Sequence, residues 1–547
     1  MVNKIKDKWD TLYFSLMLII QIGIVIFFGS KKGGLFVDEI WTFNLSNAYY
    51  EPFIGNASSY FNILLNKEFF VGHLLVKDGH EFSYGSVFYN QTQDVHPPLY
   101  YIFVHTLCSL VKNDNLKWFG IGLNIPFFII TQYYLFRLVS LIGKDKKQAL
   151  WVCAFYGFSL GAVSIVLFIR MYALLTMFSV IALYYNIRLV QKILTKQAFE
   201  KRDYFVFTGI FFSYFLGFLT QYYFLIYGFF LSLVVGLFIL FYAGIKRAVC
   251  YATATVSPIL AGILVFPASI THIIGGGYRG AEAASNLKNK HLFIELGYFL
   301  DLLNKDICLV TFLIFILIFW FIYFVKKYNI KKSFYKECLL LTQKGGSEND
   351  ILNILSISYC IIFLNALLSF LLIAKIAAFR EPRYIYFLYP LFLILIVVPL
   401  YKYLNVSIKN KKLVSLFCFL LLLFCALISL HRKNIKWLYH KEPIVINYLK
   451  NNYSIKKIIA VTRNHDWYPA VDGLRFFKEF DYTYLTEPGK LNLYDGTSDE
   501  NLAFVMDKNV KNHLGVLKDF KKQWNYSLIK KIDNYQEHEF KLYVLQK

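Results

Sequence analysis

Asp94-Val95-His96-Pro97-Pro98-Leu99-Tyr100-Tyr101 runs directly into the apolar stretch Ile102-Phe-Val-His-Thr-Leu-Cys-Ser-Leu-Val111, and whether that stretch crosses a membrane orients everything after it. From Pro97 it offers only about fifteen residues, short for a hydrocarbon core of about 30 Å and typical of a buried or interfacial helix. Pro97 and Pro98 suit its first turn, where a missing amide hydrogen costs nothing.

The rest of the chain places this question in a membrane. Of 547 residues, 57% are hydrophobic, 19% aromatic and 17% charged, a composition outside the range of soluble domains. Apolar runs long enough to cross, read as helices because a span must satisfy its own backbone, cover Thr11 to Gly29, Trp118 to Leu141, Ala149 to Phe168, Met171 to Val190, Tyr204 to Leu219 and Tyr222 to Tyr242. Further runs cover Ala248 to Ile270, Ile307 to Val325, Ile351 to Ala374, Tyr384 to Tyr401 and Leu413 to Leu430.

Cytoplasmic loops collect Lys and Arg, and this rule settles the short segment. If Pro97 to Val111 stays on one side, Lys4 to Lys8, Lys144 to Lys147, Arg188 to Arg202, Lys246 with Arg247, Lys326 to Lys344 and Lys402 to Lys412 all face the cytoplasm. If it crosses, most of these clusters flip outward. The expectation is therefore about eleven spans, with the N-terminus inside. Ser30 to His96, Thr271 to Asp306, the Lys375 to Arg383 turn and the C-terminal tail lie outside.

The net charge of +23 is explained by this topology and by anionic lipid headgroups, so nucleic acid is not an expected partner. The eight cysteines form no disulfide framework and no metal-binding pair. After Leu430 the composition becomes mixed. Pro443 to Asn451 and Asn512 to Trp524 read as helices; Lys456 to Val461, Leu502 to Met506, Ser527 to Asp533 and Glu539 to Leu545 read as strands. The expected organisation is a transmembrane unit over 1–430, with juxtamembrane helices in the loop 30–112, and a small extracytoplasmic α/β domain over 431–547.

Every polar feature unusual for a membrane protein falls on the outer face: Asp38-Glu39, Asp94 and His96, Arg170-Met171-Tyr172, Gln221-Tyr222, and Arg380-Glu381-Pro382-Arg383-Tyr384. Ionisable groups at one membrane depth are costly and mark function. A carboxylate there can accept a proton from an attacking hydroxyl; Asp38 is the candidate base, and Glu39 is the second candidate catalytic residue. Arginines at the water-lipid boundary grip phosphate bidentately and stabilise a departing one; Arg170, Arg380 and Arg383 are the candidates, with Tyr172 and Tyr384. Asp94, His96, Gln221 and Tyr222 would line the cavity or meet the acceptor. Taken singly, the acidic pair also reads as a solvated loop start, the tyrosines as an interfacial belt, and His96 as a helix cap.

Val37-Asp38-Glu39, Asp94-Val-His-Pro-Pro-Leu-Tyr-Tyr101, Ile169-Arg-Met-Tyr-Ala173 and Arg383-Tyr384 with Pro390 downstream together resemble the GT-C fold glycosyltransferases, the superfamily of the protein O-mannosyltransferases and the aminoarabinose transferases. The resemblance implies transfer of a sugar from a polyprenyl-phosphate carrier to a cell-envelope acceptor outside the cytoplasm, usually with inversion, and Asp38 as base. Some of these enzymes hold a divalent metal ion and others of the mannosyltransferase type need none; the resemblance leaves a metal open here, with Asp38, Asp94 and His96 as the ligands if one is held, and no other cofactor is implied. Two positions depart from the pattern: Phe168 stands where many relatives carry glutamate, and Asn124, before Pro126, where many carry arginine. Two other readings stand beside this one, a transporter or flippase of lipid-linked glycan and a non-catalytic relative that binds an envelope partner. A transporter would show an internal repeat and mid-membrane charges, and neither is present in the sequence.

Overall fold

The computed structural model describes residues 2–53, 58–195, 204–276, 279–307, 348–431, 435–439, 441–463, 467–494, 500–532 and 540–547. Eight described helices are long and apolar enough to cross a membrane: Asp10–Lys31, Leu116–Gly143, Tyr172–Leu194, Tyr223–Ala243, Ile245–Val265, Leu355–Ile376, Tyr386–Ser407 and Lys411–Ile428. The expected span over 149–168 is a bent pair, Lys146–Gly157 and Leu160–Leu167, meeting at 60°. Ser159 makes the second half possible, because its hydroxyl accepts the Ala162 amide at 3.1 Å and caps the new helix. Tyr204–Thr220 is a shorter apolar helix, and the expected span over 307–325 lies outside the described residues apart from Ile307.

The spans differ in burial as bundle members should. Tyr172–Leu194 is enclosed along most of its length, whereas Ile19, Phe241, Leu264 and Leu420 point outward. In lipid such outward apolar groups cost nothing, and packing between helices does the selecting. Pro126, Pro258 and Pro399 sit inside helices, where membrane bundles tolerate them. The segment after His96 is the short helix Leu99–Leu110. It packs beside Val37–Asn47 and Tyr84–Gln93, helices of the same loop.

The C-terminal region holds a mixed sheet: β1 Leu64–Asn66, β2 Lys457–Val461, β3 Tyr482–Thr486, β4 Leu502–Asp507, β5 Leu528–Ile532 and β6 Phe540–Gln546, in the order β1-β3-β2-β4-β6-β5. β3, β2 and β4 run parallel, with Val461 opposite both Thr486 and Met506, and helix Trp467–Phe477 lies between β2 and β3 in sequence. β2 and β4 are buried on both faces, as parallel strands usually are.

The edge strand β1 comes from the loop after the first span and pairs antiparallel with β3, Leu65 opposite Thr483. The Asn62 amide donates to Leu485 O at 2.8 Å, the Lys67 amide to Asp481 O at 3.0 Å and the Gly33 amide to Leu438 O at 2.7 Å. Lys478 pairs with Asp114. At Gly34 a Cβ would lie 2.5 Å from the Glu442 carboxylate, so any larger residue there would have to displace that side chain. The loop and the C-terminal region are thus joined by main-chain bonds, one of them at Gly33, five residues before Asp38.

Candidate active site

Helix Val37–Asn47 begins immediately after the first span, and its opening turn carries both acids. Neighbours on a helix point about 100° apart, so the two side chains take different surroundings. Asp38 stays one-quarter exposed and pairs with the Arg383 guanidinium, 345 positions away in sequence. Glu39 turns inward, accepting the Phe36 amide at 2.7 Å, the Ile169 amide at 2.9 Å and the Lys32 ammonium at 2.9 and 3.0 Å. Burial pushes the Glu39 carboxyl up and the Lys32 ammonium down, each opposed by its partner's charge.

Arg170 lies in the break between helices Leu160–Leu167 and Tyr172–Leu194. Asn124 helps to shape that break. Its amide donates to Val166 O at 3.0 Å and to Phe168 O at 2.9 Å, and its oxygen accepts the Tyr100 hydroxyl at 3.1 Å. On the same helix, a Cβ at Gly120 would overlap Ile169. Held this way, the Arg170 guanidinium donates to Tyr101 Oη at 2.8 Å and to Thr42 Oγ1 at 3.1 Å. Thr42 stands one turn after Asp38, whose carbonyl it bonds at 3.0 Å.

Phe168, the other departure, belongs to an aromatic stack. Its ring is 4.1 Å from Trp437 at 13° and 5.7 Å from Tyr172 at 10°. Arg383 lies over the rings of Tyr384 and Phe36, at 5.3 and 5.8 Å. Tyr384 meets Tyr223, with ring centroids 5.3 Å apart.

Asp94 and His96 line the same region. Burial raises the Asp94 carboxyl to about 6 against the pull of Arg170 and Arg279, and burial beside Arg170, Arg279 and Arg383 holds the His96 imidazole well below its ordinary value. At neutral pH Asp94 is mostly ionised and His96 neutral. Asp94 Oδ2, His96 Nδ1, Arg170 Nε and Arg383 Nε are buried without hydrogen-bond partners. Tyr222 bonds His272 Nδ1 at 2.9 Å, while Gln221 turns its oxygen to the Tyr223 amide and so caps the turn between two helices.

Arg380 is placed apart from this group. Its guanidinium, nearly half exposed, bonds Glu295 at 2.8 and 3.1 Å and lies 3.9 Å over Tyr298. Arg279 and His272 carry no signal in the sequence, where no motif surrounds either of them. Arg279 pairs with Glu282 at the rim, and its charge reaches Asp94 and Tyr384. Among the described residues no group of three or more His, Cys, Asp or Glu is arranged to hold a metal ion. Asp38 faces the Arg383 guanidinium.

No family model and no curated protein matches the chain. Among solved structures it is similar to ArnT from Cupriavidus metallidurans, determined bound to undecaprenyl phosphate, at 12% identity over 98% of both chains with a TM-score of 0.48.

Proposed function

We propose that this protein is a membrane glycosyltransferase that moves a sugar from a polyprenyl-phosphate carrier to an acceptor hydroxyl at the outer face, with Asp38 as base. The observation that carries it is the Asp38–Arg383 pair beside Arg170, Tyr101 and Thr42: groups from four distant segments meet at one end of the spans. Their sequence motifs resemble the GT-C pattern.

The residues divide the work. Asp38 takes the proton of the acceptor hydroxyl as its oxygen bonds to the anomeric carbon. The bond from that carbon to the phosphate oxygen breaks on the opposite face, and the electron pair leaves with the polyprenyl phosphate, so a single displacement inverts the centre. Arg170 and Arg383, with Arg279 at the rim, hold the departing phosphate, whose charge is greatest after the bond breaks. A phosphate entering here competes with Asp38 for Arg383 and leaves the carboxylate oxygen open to the acceptor. The unpartnered atoms of Asp94, His96, Arg170 and Arg383 are groups that bound donor and acceptor would satisfy. Tyr172 and Tyr384, both buried, stand beside Arg170 and Arg383 at the donor site.

In this reading the termini follow the charge rule, the N-terminus cytoplasmic and the domain over 431–547 outside. The decisive experiment offers a panel of radiolabelled polyprenyl-phosphate sugars, with total cell-envelope extract as acceptor, to wild type and Asp38→Asn in nanodiscs. Transfer by wild type alone is expected; equal transfer by both would refute Asp38 as the base.

A further inference from the structure

Trp437 occupies an unusual place. It belongs to the short segment between the last span and the C-terminal helix Glu442–Tyr453, yet its ring stacks on Phe168 at 4.1 Å, lies 5.1 Å from Phe36 and donates its indole N–H to Tyr386 Oη at 3.3 Å. Phe36 precedes Asp38 by two residues, Phe168 precedes Arg170 by two, and Tyr386 follows Arg383 by three. Its backbone sits at φ 72°, a region that a bulky side chain adopts only when its surroundings enforce it.

The Trp437 carbonyl accepts from the Lys32 ammonium, which is fully buried and also bonds both oxygens of Glu39. Glu39 in turn holds the Phe36 and Ile169 amides. One carboxylate therefore ties the segment bearing Asp38 to the segment bearing Arg170, and one ammonium ties that carboxylate to the C-terminal region. A buried ion pair is weak evidence of added stability, because an apolar pair of similar volume often does as well. It does fix geometry, since each bond has a direction and no member can shift without leaving a buried charge unpaired.

We propose that Lys32 and Glu39 are positioning residues, a latch anchored on the Trp437 carbonyl through which the C-terminal region holds the turns of Asp38 and Arg170 in register. Glu39 touches no reacting atom here; it acts through its neighbours. The C-terminal region is then part of the catalytic architecture. The inference rests on Asp38 as the base, and its test separates the two.

The test uses the full chain in nanodiscs and the variant Lys32→Met/Glu39→Gln, which removes both charges at similar volume. Lys32→Met alone would leave a bare buried carboxylate and is expected to fold poorly. Amide hydrogen exchange over 36–40 and 168–171 should rise about tenfold in the double variant, while β2 and β4 keep wild-type protection. In the transfer assay kcat should fall about thirtyfold or more, with KM for the carrier within about threefold. Wild-type exchange at both segments would overturn the latch. Loosened segments with wild-type kcat would overturn its positioning role. A wild type that transfers from no carrier would refute the Asp38 reading instead, and exchange would still decide whether the latch orders both segments.

Discussion

Asn124→Leu should loosen the break that carries Arg170. The two side chains share the same branched heavy-atom skeleton, so the change opens no cavity; it removes the hydrogen bonds and adds the crowding of leucine's larger methyl groups. Three are lost: two to the carbonyls of Val166 and Phe168, one from the Tyr100 hydroxyl. The Phe168 carbonyl keeps the Arg170 amide at 2.8 Å, so the groups left bare are the Val166 carbonyl and the Tyr100 hydroxyl. Inter-helix hydrogen bonds in membrane proteins average about 0.6 kcal/mol, while a buried unsatisfied group costs about 1–3 kcal/mol. The sum is about 2 kcal/mol, nearer the lower scale because the unfolded chain in lipid finds other partners. Equilibrium unfolding in mixed micelles should show that loss, and Tyr100→Phe added to Asn124→Leu should return about half by removing one bare group. Turnover should fall about tenfold or more, because Arg170 loses its placement. If Asn124→Leu matches wild type in both unfolding and turnover, Asn124 does not shape this turn.

Other outcomes follow from single features. The folded-state value of about 6 for Asp94 lies above its ordinary 3.8, so its contribution to stability is greatest in acid and is lost as pH rises from about 4 to 6, by about 3 kcal/mol at most. Asp94→Asn should remove that slope and raise the unfolding midpoint at pH 7; an unchanged pH profile would contradict it. Tyr389 donates to buried Asp306 at 2.6 Å, and burial raises that carboxyl to about 6. Tyr389→Phe should therefore cost about 1.5–3 kcal/mol at pH 7 and less at pH 5, where the acid is protonated, measured by the same unfolding assay. Gly120→Ala should cost about 1–3 kcal/mol, since its Cβ overlaps Ile169, and should lower turnover by moving Arg170; full activity would show that Ile169 yields freely.

The hydrophobic runs made most of the membrane architecture readable, and the shortness of the apolar segment after His96 anticipated the short helix Leu99–Leu110. The bend after Gly157 was not readable, because hydropathy continues across it and only the Ser159 cap marks the new start. In the C-terminal region the predicted helices and strands appear close to their expected bounds. Helix Trp467–Phe477 and β3 were missed, and so was β1, because three residues in a distant loop carry no period to detect. Asp38 and Glu39 look alike in sequence; helix geometry sends one to Arg383 and the other to Lys32. Arg170 and Arg380 also look alike, but only long-range packing determines that Glu295 occupies one and the Tyr101 site receives the other. Arg279 and His272 were hidden for the same reason, since no local spacing ties them to Asp94 or Tyr222.

Separating binding from turnover tests the central claim most directly. Carrier binding and single-turnover transfer should be measured together in nanodiscs for wild type, Asp38→Asn and Arg383→Met. Asp38→Asn, which frees Arg383 from its competitor, should bind polyprenyl-phosphate sugar at least as well as wild type yet lose transfer by about a thousandfold or more, as general-base loss entails, while Arg383→Met should weaken carrier binding itself. Transfer by Asp38→Asn at the wild-type rate, with binding intact, would contradict the account.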